Sequence, residues 1–115
     1  MNRKRRLKLN MVLDDLAKLR EPISVEEAVM IIKNCETITQ DCCDSEEDAQ
    51  NNMPESFEWS AIYQNFTDNI DDLNDALADL ESMYDICSEL QVYDYDKIKT
   101  EVISVVNKIK IVIHR

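Results

Sequence analysis

Apolar residues recur in steps of three and four along most of this chain, most clearly through Trp59, Tyr63, Phe66, Ile70, Leu73, Leu77, Leu80, Tyr84 and Cys87. Alternating steps of this kind, sustained over about four heptads, hold one apolar stripe on one side of a helix packed in coiled-coil fashion. A helix from Pro54 to Leu90 would be about 50 Å long at 1.5 Å per residue, and such a rod needs partners along its length. The spacing makes Trp59, Tyr63 and Phe66 core anchors at the start of that rod.

The preceding segment supplies a partner. Ala28, Ile31, Cys35, Ile38, Cys42, Ser45 and Ala49 keep the same spacing with smaller side chains. Ser24-Val25-Glu26-Glu27 reads as a capping box, Ser24 being the N-cap and Glu27 the residue that reaches back. Asn51-Asn52-Met53-Pro54-Glu55-Ser56 separates the two stripes, with Asn suited to a helix end and Pro54 to the first turn of the next helix. So short a connection makes the helices antiparallel neighbours. With the turn near Pro54, Cys42 is expected opposite Phe66 to Ile70, Cys35 near Leu73 to Leu77, and Cys87 beside Pro22.

Leu9, Leu13 and Leu16, with Leu19 or Arg20, mark a shorter amphipathic helix that stops or kinks at Glu21-Pro22. The C-terminal stretch carries two patterns. Ile98, Val102, Val105, Ile109 and Val112 fit a heptad, whereas Ile109, Ile111 and Ile113 alternate like a strand. A strand needs a partner and nothing else in the chain offers one, so a helix is expected. The expected architecture is all-α: a single helical domain, 1–115, in which a long antiparallel coiled-coil-like hairpin is joined by shorter N- and C-terminal helices in a helical bundle. Its helices are placed at about 5–20, 25–51, 55–90 and 96–113.

Composition agrees with this reading. The 115 residues include no Gly and only two Pro, which leaves few residues for the tight turns of a β-meander. Apolar residues are too dispersed for a membrane span, and the basic start runs into Asp14-Asp15 too soon for a secretory leader. A soluble, cytoplasmic protein is the expectation, in which Cys35, Cys42, Cys43 and Cys87 are reduced, mostly buried thiols.

Charge is sorted along the chain. Residues 1–33 carry eight basic and five acidic groups, residues 34–96 carry eighteen acidic and none basic, and residues 97–115 carry five basic and one acidic, within a net charge of −11. Terminal helices packed beside the acidic pair would relieve its self-repulsion.

Little points to catalysis. The one histidine, His114, stands at the C-terminus, and there is no Gly-rich phosphate loop, so no enzyme activity, cofactor or metal site is expected. The carboxylates are what local stability does not explain. Asp68 and Asp72 lie four apart, as do Asp71, Asp75 and Asp79, so like charges stack without Lys to offset them. With Asp85 and Glu89 beyond, this ladder is open to two readings. One is a solvated, solubilising face. The other is a line of negative charge that imitates a phosphate backbone and occupies a basic nucleic-acid channel on a partner protein. Arg3, Lys4, Arg5, Arg6 and Lys8 form the opposite patch, a basic arm read first as a solvated terminus or a partner of the acidic helices and only secondly as a nucleic-acid contact, since it lacks interleaved aromatics. Tyr93 and Tyr95 fall on no stripe, which leaves both a contact patch and plain linker residues open.

The opening Met1-Asn2-Arg3-Lys4-Arg5-Arg6, the break Asn52-Met53-Pro54-Glu55-Ser56 and the run Ile70-Asp71-Asp72-Leu73-Asn74-Asp75-Ala76-Leu77 resemble a family of small acidic helical proteins of Firmicutes phages and mobile elements. The resemblance covers about residues 1–88; Pro22 with its capping box, the cysteine-bearing segment and the apolar last helix depart from that pattern. It implies origin in a mobile element, where interference with a host enzyme is a common use. The expected function is a non-enzymatic protein that binds and inhibits a host nucleic-acid-handling protein through its acidic face, of the anti-defence or anti-CRISPR type. A self-associating helical module using the last helix, and a DNA-binding accessory protein using the basic arm, are the alternatives.

Overall fold

Helices begin where a side chain supplies the cap. In a computed structural model that describes all 115 residues, Asn2, Ser24 and Ser60 each accept a hydrogen bond from the backbone N–H three residues on, at 2.9–3.1 Å. They start α1 (Arg3–Lys18), α2 (Val25–Asn51) and α3 (Ala61–Ser88) by occupying a backbone donor that the first turn leaves without a helical partner. Helix α4 (Lys99–His114) follows a short 3-10 turn at Tyr95–Lys97, and there is no strand. The C-terminal stretch is therefore helical in spite of its β-branched residues, because four of them line the core: Val102, Val105, Ile109 and Val112 are buried.

The four helices form a bundle in which α1 packs on α2, α2 on α3, α3 on α4 and α4 back on α1. Residue numbers run in opposite senses across each junction. Arg5 reaches Glu46 while Asn34 reaches Asp15; Gln50 reaches Thr67 while Lys33 stacks on Tyr84; Asp72 meets Arg115 while Asp79 meets Ser104 and Lys108. One core of nineteen buried apolar residues runs through all four helices.

The buried stripes differ from the expected ones by one residue on alternate positions. On α2 the buried line is Ala28, Ile32, Cys35, Thr39, Cys42 and Glu46, so Ile31 and Ile38 are only half-buried. On α3 it is Asn69, Leu73, Ala76, Leu80, Met83 and Cys87, with Ile70, Leu77 and Tyr84 at its edge. The reason is the number of neighbours. A helix in a two-stranded coil buries the stripe facing one partner, whereas α2 also faces α1 and α3 also faces α4, which rotates the centre of each buried face toward the extra helix. Thr39 is carried into the core in this way, with its hydroxyl unpaired.

The register is displaced as well. The chain between Asn52 and Ser60 is not α-helical, apart from a 3-10 turn at Glu55–Phe57, so the third helix starts at Ala61 rather than at residue 55. Cys43 consequently donates a weak bond to Asn74, where the expected register put Cys42 opposite Phe66 to Ile70. The slip is about two helical turns. It also takes Cys87 away from Pro22, to the level of the first turns of α2. The four cysteines are buried and unbridged.

Helices α2 and α3 contain 27 and 28 residues, α1 and α4 only 16 each. The longer pair therefore continues past the end of the four-helix body as a two-helix spur of residues 47–68, and the molecule measures 54 × 21 × 18 Å. The expectation that Trp59, Tyr63 and Phe66 are core anchors fails here. Trp59 is exposed, Tyr63 and Phe66 are half-buried and none of them packs on the core cluster, because no third helix reaches their level.

Candidate functional site

At the base of the spur the four helices meet in a closed polar layer. Arg5 Nε on α1 donates to Glu46 Oε1 on α2 at 2.9 Å, and Asn69 Nδ2 on α3 donates to Glu46 Oε2 at 3.3 Å. Arg115, just past α4, donates through Nη1 to Asn69 Oδ1 at 3.0 Å and through Nη2 to Asp72 Oδ2 at 2.8 Å. Glu46 is fully buried, so both of its oxygens depend on these partners. The layer also resolves a local conflict. The first turn of α1 is basic and the last turn of α2 lacks any basic residue, each the reverse of what a helix dipole favours, but the two ends lie side by side and Arg5 pairs with Glu46 across them.

Charge that is sorted in sequence becomes sorted in space. Basic α1 and α4 are neighbours on one side of the bundle, acidic α2 and α3 on the other. Of the eighteen carboxylates between Asn34 and Asp96, only Glu36, Glu46, Asp72 and Asp79 have a basic partner within salt-bridge distance, and fourteen have none.

The ladder read from the sequence splits in two. Asp72 is held by Arg115, and Asp79 accepts from Lys108 Nζ at 2.9 Å and Ser104 Oγ at 2.7 Å, so both join α3 to α4. Asp68 is half-buried and accepts from Gln64 Nε2 at 2.9 Å. Asp71, Asp75, Asp85 and Glu89 are exposed and without a basic partner. The structure adds residues from α2 that the reading of one helix at a time had missed. Asp44, Glu47 and Asp48 are exposed, while Glu36 and Asp41, with Glu81 and the already expected Asp85 of α3, border two shallow hollows between α2 and α3, each of about 310 Å³, one of them also lined by Lys33. The spacing of Asp41, Asp44 and Asp48 was the signal available for them.

The basic arm is divided too. Arg5 is consumed by Glu46 and Lys8 is half-buried, which leaves Arg3, Lys4 and Arg6 exposed on the first turns of α1. Tyr93 is a structural residue, its hydroxyl donating to the Leu19 carbonyl across the far end of the bundle. Tyr95 is half-buried with its hydroxyl unpaired.

Chemically these surfaces are suited to charge recognition. No group of three or more His, Cys, Asp or Glu side chains converges as a metal site would need, and no helix is long and apolar enough to cross a membrane. The thiols are held in their unreactive form: burial pushes Cys35 up to about 12 and Cys42 and Cys43 to about 11, and raises Cys87 in the same way. Compared with protein families, curated proteins and solved structures, the chain matches none of them.

Proposed function

We propose that this is a non-catalytic binding protein whose α2–α3 side engages the basic surface of a nucleic-acid-handling host protein and blocks it, in the anti-defence or anti-CRISPR manner that the resemblance to mobile-element proteins implies. The observation that carries the reading is the set of fourteen carboxylates left without a basic partner. A fold that needed acidic groups only for internal pairing would place its Lys and Arg among them, and here, Lys33 apart, the bases belong to α1, α4 and the segments that flank them. Repeated negative charge along a rod is complementary to a channel built for a phosphate backbone. The heptad spacing of α2 and α3 further supports reading them as a coiled-coil-like hairpin, a stiff element long enough to reach into such a channel.

The test combines capture with neutralisation. Bait protein incubated with bacterial lysate at low and high salt should retain a nuclease or related nucleic-acid enzyme, and retain less of it at high salt. Asp71→Asn, Asp75→Asn and Asp85→Asn together should leave helicity intact, because these side chains are exposed and make no ion pair, and should slow association with the captured partner. Asp79 is left alone, since its change would break the Lys108 pair. Unchanged binding by the triple variant, with normal circular dichroism, would reduce the face to a solubilising surface.

A further inference from the structure

Trp59, the one tryptophan in the chain, is 96 % exposed at the tip of the spur, with Ile62 at 62 % and Phe57 at 49 % within three residues of it in the chain. The turn that presents them is ordered by its own hydrogen bonds. The N–H groups of Phe57, Glu58 and Ser60 donate to the carbonyls of Pro54, Glu55 and Phe57 at 2.9–3.1 Å, and Ser60 caps α3 directly after Trp59. A turn whose backbone is ordered before binding loses little backbone freedom on docking, and tryptophan is prominent among the residues that dominate binding energy. The core of the protein makes no use of this trio.

The rim of the patch decides what fits it. Glu55 and Glu58, on the same turn as Phe57 and Trp59, are exposed, and no Lys, Arg or His stands anywhere from Asn34 to Asp96. A second copy would bring the same carboxylates against these, and an anionic membrane surface would repel them. A protein pocket with an apolar floor and a Lys or Arg rim complements both the ring and its surround. We propose that the spur tip is a hydrophobic anchor that inserts into such a pocket on the basic partner protein. This rests on the reading of the partner surface as basic, and gives the tip a separate part. The carboxylates speed the approach, whereas the anchor slows departure.

Trp59 emission reports the outcome directly. Two synthetic helical peptides with equal numbers of Lys, one carrying Leu on its opposite face and the other Ser, serve as probes. The Lys/Leu peptide should shift the emission to shorter wavelength, shield it from acrylamide and bind at least about tenfold more tightly than the Lys/Ser peptide. Phe57→Ala with Ile62→Ala should remove most of that advantage while leaving the Lys/Ser affinity as it was. Equal affinity for both peptides would overturn the proposal. So would an emission shift produced by anionic phosphatidylglycerol vesicles in place of the peptide, or one that grows with protein concentration alone. The triple Asp→Asn variant separates this from the acidic-face reading. It should weaken both peptides alike, and if it weakens neither, the acidic face fails while the Leu-dependent difference still judges the anchor.

Discussion

The four-helix body and the two-helix spur share the same two long helices with the same heptad spacing, yet a stripe position has different consequences in each. In the body Leu73, Leu80 and Cys87 are fully buried, and even Thr39 and Asn69 are drawn inside. In the spur Phe66 and Tyr63 stay partly in water, and the pair is held by polar contacts such as Gln50 Nε2 donating to Thr67 Oγ1 and to the Tyr63 carbonyl. Two helices cover only the strip between them, whereas four enclose a volume. Spacing thus sets which side of a helix is apolar, and the number of neighbours at that level sets whether the side is dry. The boundary is the Glu46 layer.

That boundary should be where the molecule is easiest to break. Glu46→Ala leaves Arg5 without its buried partner and Asn69 short of an acceptor, so a loss of about 3–5 kcal/mol is expected in urea unfolding, in the range for one partner removed from a buried pair. A loss below about 1 kcal/mol would mean that water reaches the layer and that body and spur are not energetically distinct.

A matched pair of substitutions sharpens the contrast. Leu80→Ala, in the middle of the body, should cost about 2–5 kcal/mol, as buried Leu-to-Ala changes do. Phe66→Ala removes a larger side chain from an equivalent heptad position, but that side chain is only partly buried and apart from the core, so a smaller loss of about 1–2 kcal/mol is expected. Equal losses would show that the spur is as dry as the body.

A pH dependence that is absent at neutral pH is confined to the body, where all four cysteines lie. An unfolded thiol ionises near pH 9, while the buried thiols keep their protons to about pH 11 for Cys42 and Cys43 and about pH 12 for Cys35. Their folded values are raised, so the stabilisation is complete below pH 9 and is lost as the pH climbs through the window from 9 to about 12. Chemical unfolding between pH 8 and 11 should show stability declining only above pH 9. A Cys35→Ser, Cys42→Ala, Cys43→Ala, Cys87→Ala variant that remains folded should show less of that decline, and an identical profile would assign it to other groups.

Much of the fold was legible residue by residue. Ser24 as a cap, the stop before Pro22 and the apolar line Ile98, Val102, Val105, Ile109 and Val112 all follow from local chemistry, and each is present in the bundle. The start of α3 lies six residues beyond the one that Pro54 suggests, because Ser60 supplies the stronger signal, an N-cap hydroxyl three residues before Tyr63. The acidic surface was legible as a charge imbalance. Its membership was not, because a helical spacing does not reveal that Asp72 and Asp79 face Arg115 and Lys108 while Asp71 and Asp75 face water.

By itself the sequence determined the helical class, the side of each helix that is apolar and the block order of its charges, since all three are properties of spacing and composition within one segment. Tertiary structure alone decided three further things. It set the rotation that buries Thr39 in place of Ile38, the closure of Arg5, Glu46, Asn69 and Arg115 into one layer, and the exposure of Trp59. Each of these depends on where a third or fourth helix begins and ends relative to the first two. Helix length and register across a bundle are set by the summed packing of all four chain segments, a quantity that no single stretch of sequence contains.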